Sequence, residues 1–220
     1  QVEAFVAATL RSKRIGFDVV ELHSAHGYLI HQFLSPLSNQ RKDAYGRERS
    51  KFPLEVAAAV RESWPKGRAL GARISAHDWA DGGLGPDDAV AYAKELKRLG
   101  FDYVCVSSGA LVAHQKLPPV VQGYQMAFAE KVKRALDIKV RAVGMIADPE
   151  YAEEVVESGK ADMVAMARAF LDNPRWVWHA AERHGIKLDY PPSYARSRFD
   201  LWPGAKLARP QAREDESQLG

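Results

Sequence analysis

One pattern recurs three times along this chain: a helical stretch, a glycine, a hydrophobic or small residue, an aspartate, then an apolar run. It reads Gly16-Phe17-Asp18 before Val-Val-Glu-Leu, Gly100-Phe101-Asp102 before Tyr-Val-Cys-Val, and Gly159-Lys-Ala161-Asp162 before Met-Val-Ala-Met. Each glycine can close a helix in the left-handed region, and each run that follows suits a strand buried on both faces. Two further strand candidates, Ala69–Ser75 and Ile138–Gly144, lack that lead-in. Five strands are therefore expected, beginning near residues 18, 69, 102, 138 and 161.

Helical spacing fills the intervals, over Val2–Arg14 and roughly 51–63, 86–99, 124–136, 149–158 and 174–184. Pro86-Asp87-Asp88 and Asp148-Pro149-Glu150 are helix-start signals. Alternating strands and helices with short links imply a parallel sheet. The long connector 24–50 reads as polar loop, and loops of that length in compact domains are usually functional. From Pro191 regular patterning fades into a tail that ends in the polar string Arg213–Gly220. The expected division is thus 1–190 for the α/β domain and 191–220 for a tail that reaches a neighbour.

The 220 residues carry 46% apolar and 27% charged side chains and a formal charge of +3, with the two signs interspersed. That balance argues against a nucleic-acid face. No apolar run approaches bilayer-spanning length, so no membrane role is expected. The single cysteine, Cys105, excludes an internal disulfide framework and suits a reducing, cytoplasmic setting; its apolar surroundings predict a buried, inert thiol. The chain opens at Gln1 with helical spacing already under way at Val2, which leads us to expect more chain upstream.

Chemistry concentrates at strand ends, where α/β folds place their sites. The first strand runs into His23-Ser-Ala-His26-Gly-Tyr28. Two neutral imidazole N–H groups can hold a carbonyl or phenolate oxygen, and the phenol can deliver a proton. A metal bound by His23, His26 and His31 competes with this reading, but no acidic or cysteine ligand stands at metal spacing. A hydrogen-bonded structural pair of histidines competes too. Arg73, inside an apolar strand, needs an anionic partner, which a structural carboxylate or a negatively charged cofactor ring would supply. Ser107-Ser108-Gly109 offers small residues at the next strand end, and read alone it is a turn. Gly144, Ala167 and Arg168 end the last two strands and suit a phosphate: close backbone approach at the glycine, a fork of donors at the arginine.

Together these residues resemble the Old Yellow Enzyme family of FMN-dependent oxidoreductases, in particular its bacterial, thermophilic-type ene-reductases. The resemblance spans residues 2–196. It rests on Phe17-Asp-x-Val-Glu-Leu-His-x-Ala-His-Gly-Tyr28-Leu-Ile-His-x-Phe-Leu-Ser-Pro-Leu-Ser-Asn39, Arg41-x-Asp43-x-Tyr45-Gly46, Arg73-Ile-Ser, Ser107-Ser-Gly-Ala-Leu111, Val143-Gly-Met-Ile146 and Ala161-Asp-Met-Val-x-Met-Ala-Arg168. It implies an FMN-binding (β/α)8 TIM barrel, of which this chain carries about the last five βα units. It also implies hydride transfer from NAD(P)H through the flavin to activated alkenes, the α,β-unsaturated carbonyl or nitro compounds. By the same resemblance, His23 and His26 hold the substrate oxygen and Tyr28 donates the proton. Arg73 and Ser108 meet the flavin, Gly144, Ala167 and Arg168 hold its phosphate, and Arg196 enters a neighbouring subunit's site. A homo-oligomer, or pairing with a complementing N-terminal barrel half, is expected.

Three departures from the family pattern stand out. Its first three βα units, with their share of the cofactor cradle, are absent. The loop after Tyr45-Gly46 is a few residues shorter, and the tail beyond Ser197 is longer and more basic. Two alternatives follow: a non-catalytic remnant that self-associates through open sheet edges, and another phosphate-binding barrel of the dihydroorotate-dehydrogenase kind, which leaves His23, His26 and Tyr28 unexplained.

Overall fold

The structure, a computed structural model, describes residues 1–208; the polar string from Arg213 lies outside them. The first compact unit, Gln1–Met166, alternates helix and strand. Its elements are α1 (Val2–Arg14), β1 (Val19–Ser24), α2 (Leu29–Leu34), α3 (Ala44–Arg47), α4 (Lys51–Ser63), β2 (Ala69–Ser75), α5 (Pro86–Arg98), β3 (Tyr103–Ser107), α6 (Met126–Ala135), β4 (Lys139–Val143), α7 (Pro149–Glu157) and β5 (Met163–Ala165). The strands form one parallel sheet in the order β1-β2-β3-β4-β5, the arrangement of consecutive units in a partial (β/α)8 barrel.

The recurring Gly–Asp signal is a strand-pairing device. Gly100 and Gly159 adopt φ of 87° and 72°, ending α5 and α7 as the sequence anticipates. The aspartate that follows then clamps the preceding strand. Asp102 Oδ2 accepts from the Leu70 amide at 2.7 Å while the Asp102 amide donates to the Leu70 carbonyl at 2.8 Å. Asp162 does the same to Val140, at 2.9 and 2.8 Å. One residue thereby satisfies both backbone groups at the start of the neighbouring strand and fixes its register.

Alternation along the strands sorts the side chains onto two faces. Leu22, Leu70, Ala72, Ile74, Val104, Val106, Val140 and Ala142 are buried on the face that packs against Val56 and Val60 of α4, Leu96 of α5 and Val132 of α6. The opposite face carries Glu21, His23, Arg73, Tyr103, Cys105 and Arg141, a polar lining rather than an oily one. Arg141 pairs with Glu21 across two intervening strands, and its guanidinium lies 5.0 Å from the centre of the Tyr103 ring. Tyr103 crosses Gly71, where any side chain would collide with the ring; a Cβ there would fall 2.1 Å from it. Cys105 is fully buried, and burial raises its thiol above the ordinary value, in keeping with an inert role.

The connector 24–50 differs from the loop expected of it, since it folds α2 and α3. Asn39 organises it by donating to the carbonyls of Phe33 and Tyr45, both at 2.8 Å, while Asp43 caps α3 through the Tyr45 and Gly46 amides. The second compact unit begins at Ala167, upstream of the residue-190 boundary read from the sequence. It contains α8 (Arg168–Asp172), α9 (Trp176–Arg183), a 3-10 turn (Pro192–Ser197) and α10 (Ala205–Ala208). The helix expected over 174–184 is α9; α8 and the two short tail helices were not foreseen.

The clamp at Asp162 makes a prediction. Burial alone would raise this carboxyl, but hydrogen bonds from Lys133, the Val140 amide and Lys139 outweigh it and hold the group at about 2, against 3.8 when free. The stability it contributes is therefore complete above 3.8 and is lost as pH falls toward about 2. Asp162→Ala should cost about 1–3 kcal/mol at neutral pH in chemical denaturation and flatten the loss of stability across that acid window. Identical acid profiles for the two proteins would contradict the clamp.

Candidate active site

The C-terminal end of β1 opens into a turn with two successive left-handed residues, His26 at φ 57° and Gly27 at φ 75°. A left-handed histidine is strained by roughly 1–2 kcal/mol, so it persists only where neighbours hold it. Here the His26 amide donates to Ser75 Oγ at 3.1 Å, and its Nε2 lies 2.8 Å from Ser107 Oγ. The next residue must be glycine, because a Cβ at position 27 would sit 2.5 Å from the Ala110 carbonyl oxygen. The ends of β1, β2 and β3 thus meet at one turn.

That turn gathers the three residues singled out from the sequence. The His23 ring lies 5.3 Å from that of His26 and 5.1 Å from that of Tyr28. Tyr28 remains 63% exposed at the start of α2, so its hydroxyl is available to a ligand. Both imidazoles are biased toward neutrality. Burial, then the Arg73 charge, lowers His23 below its ordinary value; the same two causes take His26 down to about 4. A neutral imidazole offers one N–H donor and one acceptor nitrogen, which suits it to hold an oxygen without carrying a fixed charge.

Arg73 stands beside His23 in the strand register, followed across the sheet by Cys105 and Arg141. Its Nε is buried and finds no hydrogen-bond partner among the described residues. A structural carboxylate on that nitrogen, one alternative left open by the sequence, is not what the side chain meets. An unpaired guanidinium nitrogen facing the polar side of the sheet is the kind of group an anionic ring edge would satisfy.

His31 is the third nitrogen that the sequence offered to a metal. Its two ring nitrogens are spent on the Gly27 amide at 2.9 Å and on Asp78 Oδ1 at 2.8 Å, with both side chains fully buried.

At the next strand ends, Ser108 Oγ donates to Gln125 Oε1 at 2.5 Å and accepts from Trp79 Nε1 at 2.8 Å, so its hydroxyl belongs to a clamp between loops. Gln125 also donates to the Val143 carbonyl at 3.1 Å and packs where a Cβ on Gly144 would lie, 2.6 Å from its Nε2. Ser108 and Gly144 are therefore joined through one buried glutamine. Sequence reasoning missed Gln125, Trp79 and Asp78; the only available signal was polar or aromatic residues at otherwise unremarkable loop positions. Ala167, Arg168 and Arg196 belong to the second unit, where Ala167 immediately precedes α8 and Arg196 lies in the 3-10 turn.

Comparison with known proteins follows the same lines. The profile of the NADH:flavin oxidoreductase / NADH oxidase family matches residues 1–186. The chain is 46% identical over 198 residues to an NADPH dehydrogenase of Geobacillus thermodenitrificans, covering 89% of this chain and 57% of that protein. It is 42% identical to the NADPH dehydrogenase of Bacillus subtilis with the same coverage. The chain thus spans a little over half the length of these relatives. Among solved structures, morphinone reductase in complex with tetrahydroNAD superimposes with a TM-score of 0.66 at 31% identity, over 87% of this chain and 50% of that one. A 2-naphthoyl-CoA reductase complex shares the fold alone, with a TM-score of 0.76 at 22% identity over 84% and 29%. With the profile match covering most of its length, this chain belongs to the NADH:flavin oxidoreductase / NADH oxidase family.

Proposed function

We propose that the protein is an FMN-dependent oxidoreductase that uses NAD(P)H to reduce the activated C=C bond of α,β-unsaturated carbonyl or nitro compounds. The observation that carries this reading is the joint placement of His23, His26 and Tyr28 on one turn beside the unpartnered Nε of Arg73. Bound FMN supplies hydride chemistry at such a site. The chain's own residues supply the rest. His23 and His26 donate N–H groups to the substrate oxygen and so draw electron density away from the β-carbon, where hydride adds. Tyr28 gives its hydroxyl proton to the α-carbon, which balances the reduction, and regains one from solvent through its exposed edge.

Arg73 fits the anionic pyrimidine edge of the flavin. Gly144, Ala167 and Arg168, with Ser108 near the strand ends, are the residues proposed to hold the rest of the cofactor. The relatives' name points to NADPH as reductant. Arg196 is proposed to complete the site of a neighbouring subunit in a homo-oligomer. Among the described residues no helix is long and apolar enough to cross a membrane, and the cytoplasm remains the proposed compartment.

A second reading is favoured by one observation: β1 and β5 are edges of the described sheet, and Val19 at the β1 edge is 46% exposed. Unprotected edges invite pairing. This arc alone is then a non-catalytic unit that self-associates or pairs with further βα units. A monomer by light scattering that binds FMN would contradict that second reading.

Two measurements test the leading one. Tyr28→Phe should lower alkene turnover by about 100-fold or more, and His26→Ala by a similar factor through loss of an oxygen-binding donor, with the reduction of flavin by NAD(P)H retained in both. Full turnover in the double variant would remove the turn from the chemistry.

The second concerns charge. With His26 at about 4 in the fold and 6.5 when free, neutral-ring stability is complete above 6.5 and erodes as pH falls toward about 4. Proton NMR of the His26 ring should show its midpoint near 4, and Arg73→Met should move it upward by removing the nearby cation. A midpoint at 6.5 in the unaltered protein would contradict the electrostatics assigned to the site.

A further inference from the structure

We infer that the buried Asp78–His31 pair is a positioning device that sets the turn carrying His26 and Tyr28. The inference rests on the proposed role of that turn in holding substrate. His31 Nδ1 accepts the Gly27 N–H at 2.9 Å, so this nitrogen carries no proton. The ring must then hold its proton on Nε2 and donate it to Asp78 Oδ1 at 2.8 Å. Asp78 Oδ2 accepts from Ser35 Oγ at 2.6 Å and from the Leu84 amide at 2.8 Å. Every contact on this carboxylate is a donor to it, which is the environment of an ionised group. Burial alone would raise its proton affinity; the hydrogen bonds from His31, Ser35 and Leu84 outweigh burial and keep it below the ordinary value.

The consequence is directional. Asp78 selects one histidine tautomer, that tautomer presents a lone pair to Gly27, and Gly27 stands between the two residues that meet substrate. Gln32 completes the hold by donating to the Gly27 carbonyl at 2.7 Å. Both backbone groups of Gly27 are thus fixed from the first turns of α2, while the Ala110 carbonyl limits it on the other side. Ser75 and Ser107 hold the His26 half of the turn, and His31 and Gln32 hold the Gly27 peptide. Neither Asp78 nor His31 touches the space beside His23 and Tyr28; they act through the peptide they hold.

Two substitutions at one position separate this role from plain packing. His31→Asn places an amide oxygen near the position of Nδ1, keeping an acceptor for Gly27 and giving up Asp78. His31→Gln places an amide N–H near the position of Nε2, keeping Asp78 and giving up Gly27. Hydrogen exchange of the Gly27 amide, read by NMR on the full chain, should accelerate about tenfold or more in His31→Gln and stay near the unaltered rate in His31→Asn. Alkene turnover should follow Gly27 and not melting temperature, falling about 10- to 100-fold in His31→Gln even where that variant melts higher than His31→Asn. Asp78→Asn, an isosteric change that turns one acceptor into a donor, should accelerate Gly27 exchange as His31→Gln does.

The unaltered protein gives a test that needs no variant. Nitrogen-15 spectra of the His31 ring should show a protonated Nε2 and a bare Nδ1. A proton on Nδ1, equal Gly27 exchange in the two His31 variants, or turnover that simply tracks melting temperature would overturn the inference. These spectra and exchange rates decide the positioning claim even if the unaltered protein reduces no alkene, a result that would sink the proposed function instead.

Discussion

The left-handed backbone at His26 and Gly27 is the constraint on which the candidate site depends. A strand can aim only alternate side chains at one side of a sheet. His23 uses the last such position in β1, and placing a second imidazole and a phenol beside it requires the chain to reverse within four residues. Two consecutive positive-φ residues achieve that reversal. The strain at His26 is offset by Ser75 and Ser107 from the neighbouring strand ends, and His31 from the helix that follows holds the Gly27 amide. Parallel register is what brings those serines level with the turn, and register is set partly at the other end of the sheet, where Asp102 and Asp162 grip the starts of β2 and β4. The register clamps at one end and the candidate site at the other are therefore parts of a single arrangement.

The polar side of the sheet carries a graded charge. Glu21, one level nearer the strand starts, pairs with Arg141, and the Tyr103 phenol at the level of Glu21 is pushed up to about 12, first by burial and then by Glu21. The Nε of each arginine is buried without a hydrogen-bond partner among the described residues, and Arg141 meets Glu21 only through its Nη2. The two arginines occupy the same level of the sheet and differ in what answers them. Burial first, and the Arg73 charge second, lower both imidazoles, so the cation proposed to face an anionic ring also favours neutral histidines beside it. In the proposed reaction, one guanidinium would thus serve both the cofactor and the substrate-binding imidazoles.

Much of this was legible in the sequence because its causes are local. Gly100-Phe-Asp102 and Gly159-Lys-Ala-Asp162 announce a helix end and a strand start within four residues, and the apolar runs after them leave no other reading. His23, His26 and Tyr28 stood out because polar residues crowd the end of such a run. The buried pair His31–Asp78 could not be read, since its members lie 47 residues apart and meet only through tertiary packing. Gln125 was hidden for the same reason: nothing in Gly123-Tyr-Gln125 foretells that its amide will bridge Ser108 and Val143. The helices in 24–50 were missed because their organiser, Asn39, works through side-chain bonds to backbone carbonyls, which leave no periodicity.

A crystal structure of the protein with FMN and an unreactive saturated ketone tests the central claim most directly. The account predicts the ketone oxygen at about 3 Å from a ring nitrogen of both His23 and His26, with the flavin's pyrimidine edge against Arg73. A ketone oxygen bound by other groups, with the two imidazoles left turned toward Ser107 and solvent, would contradict it.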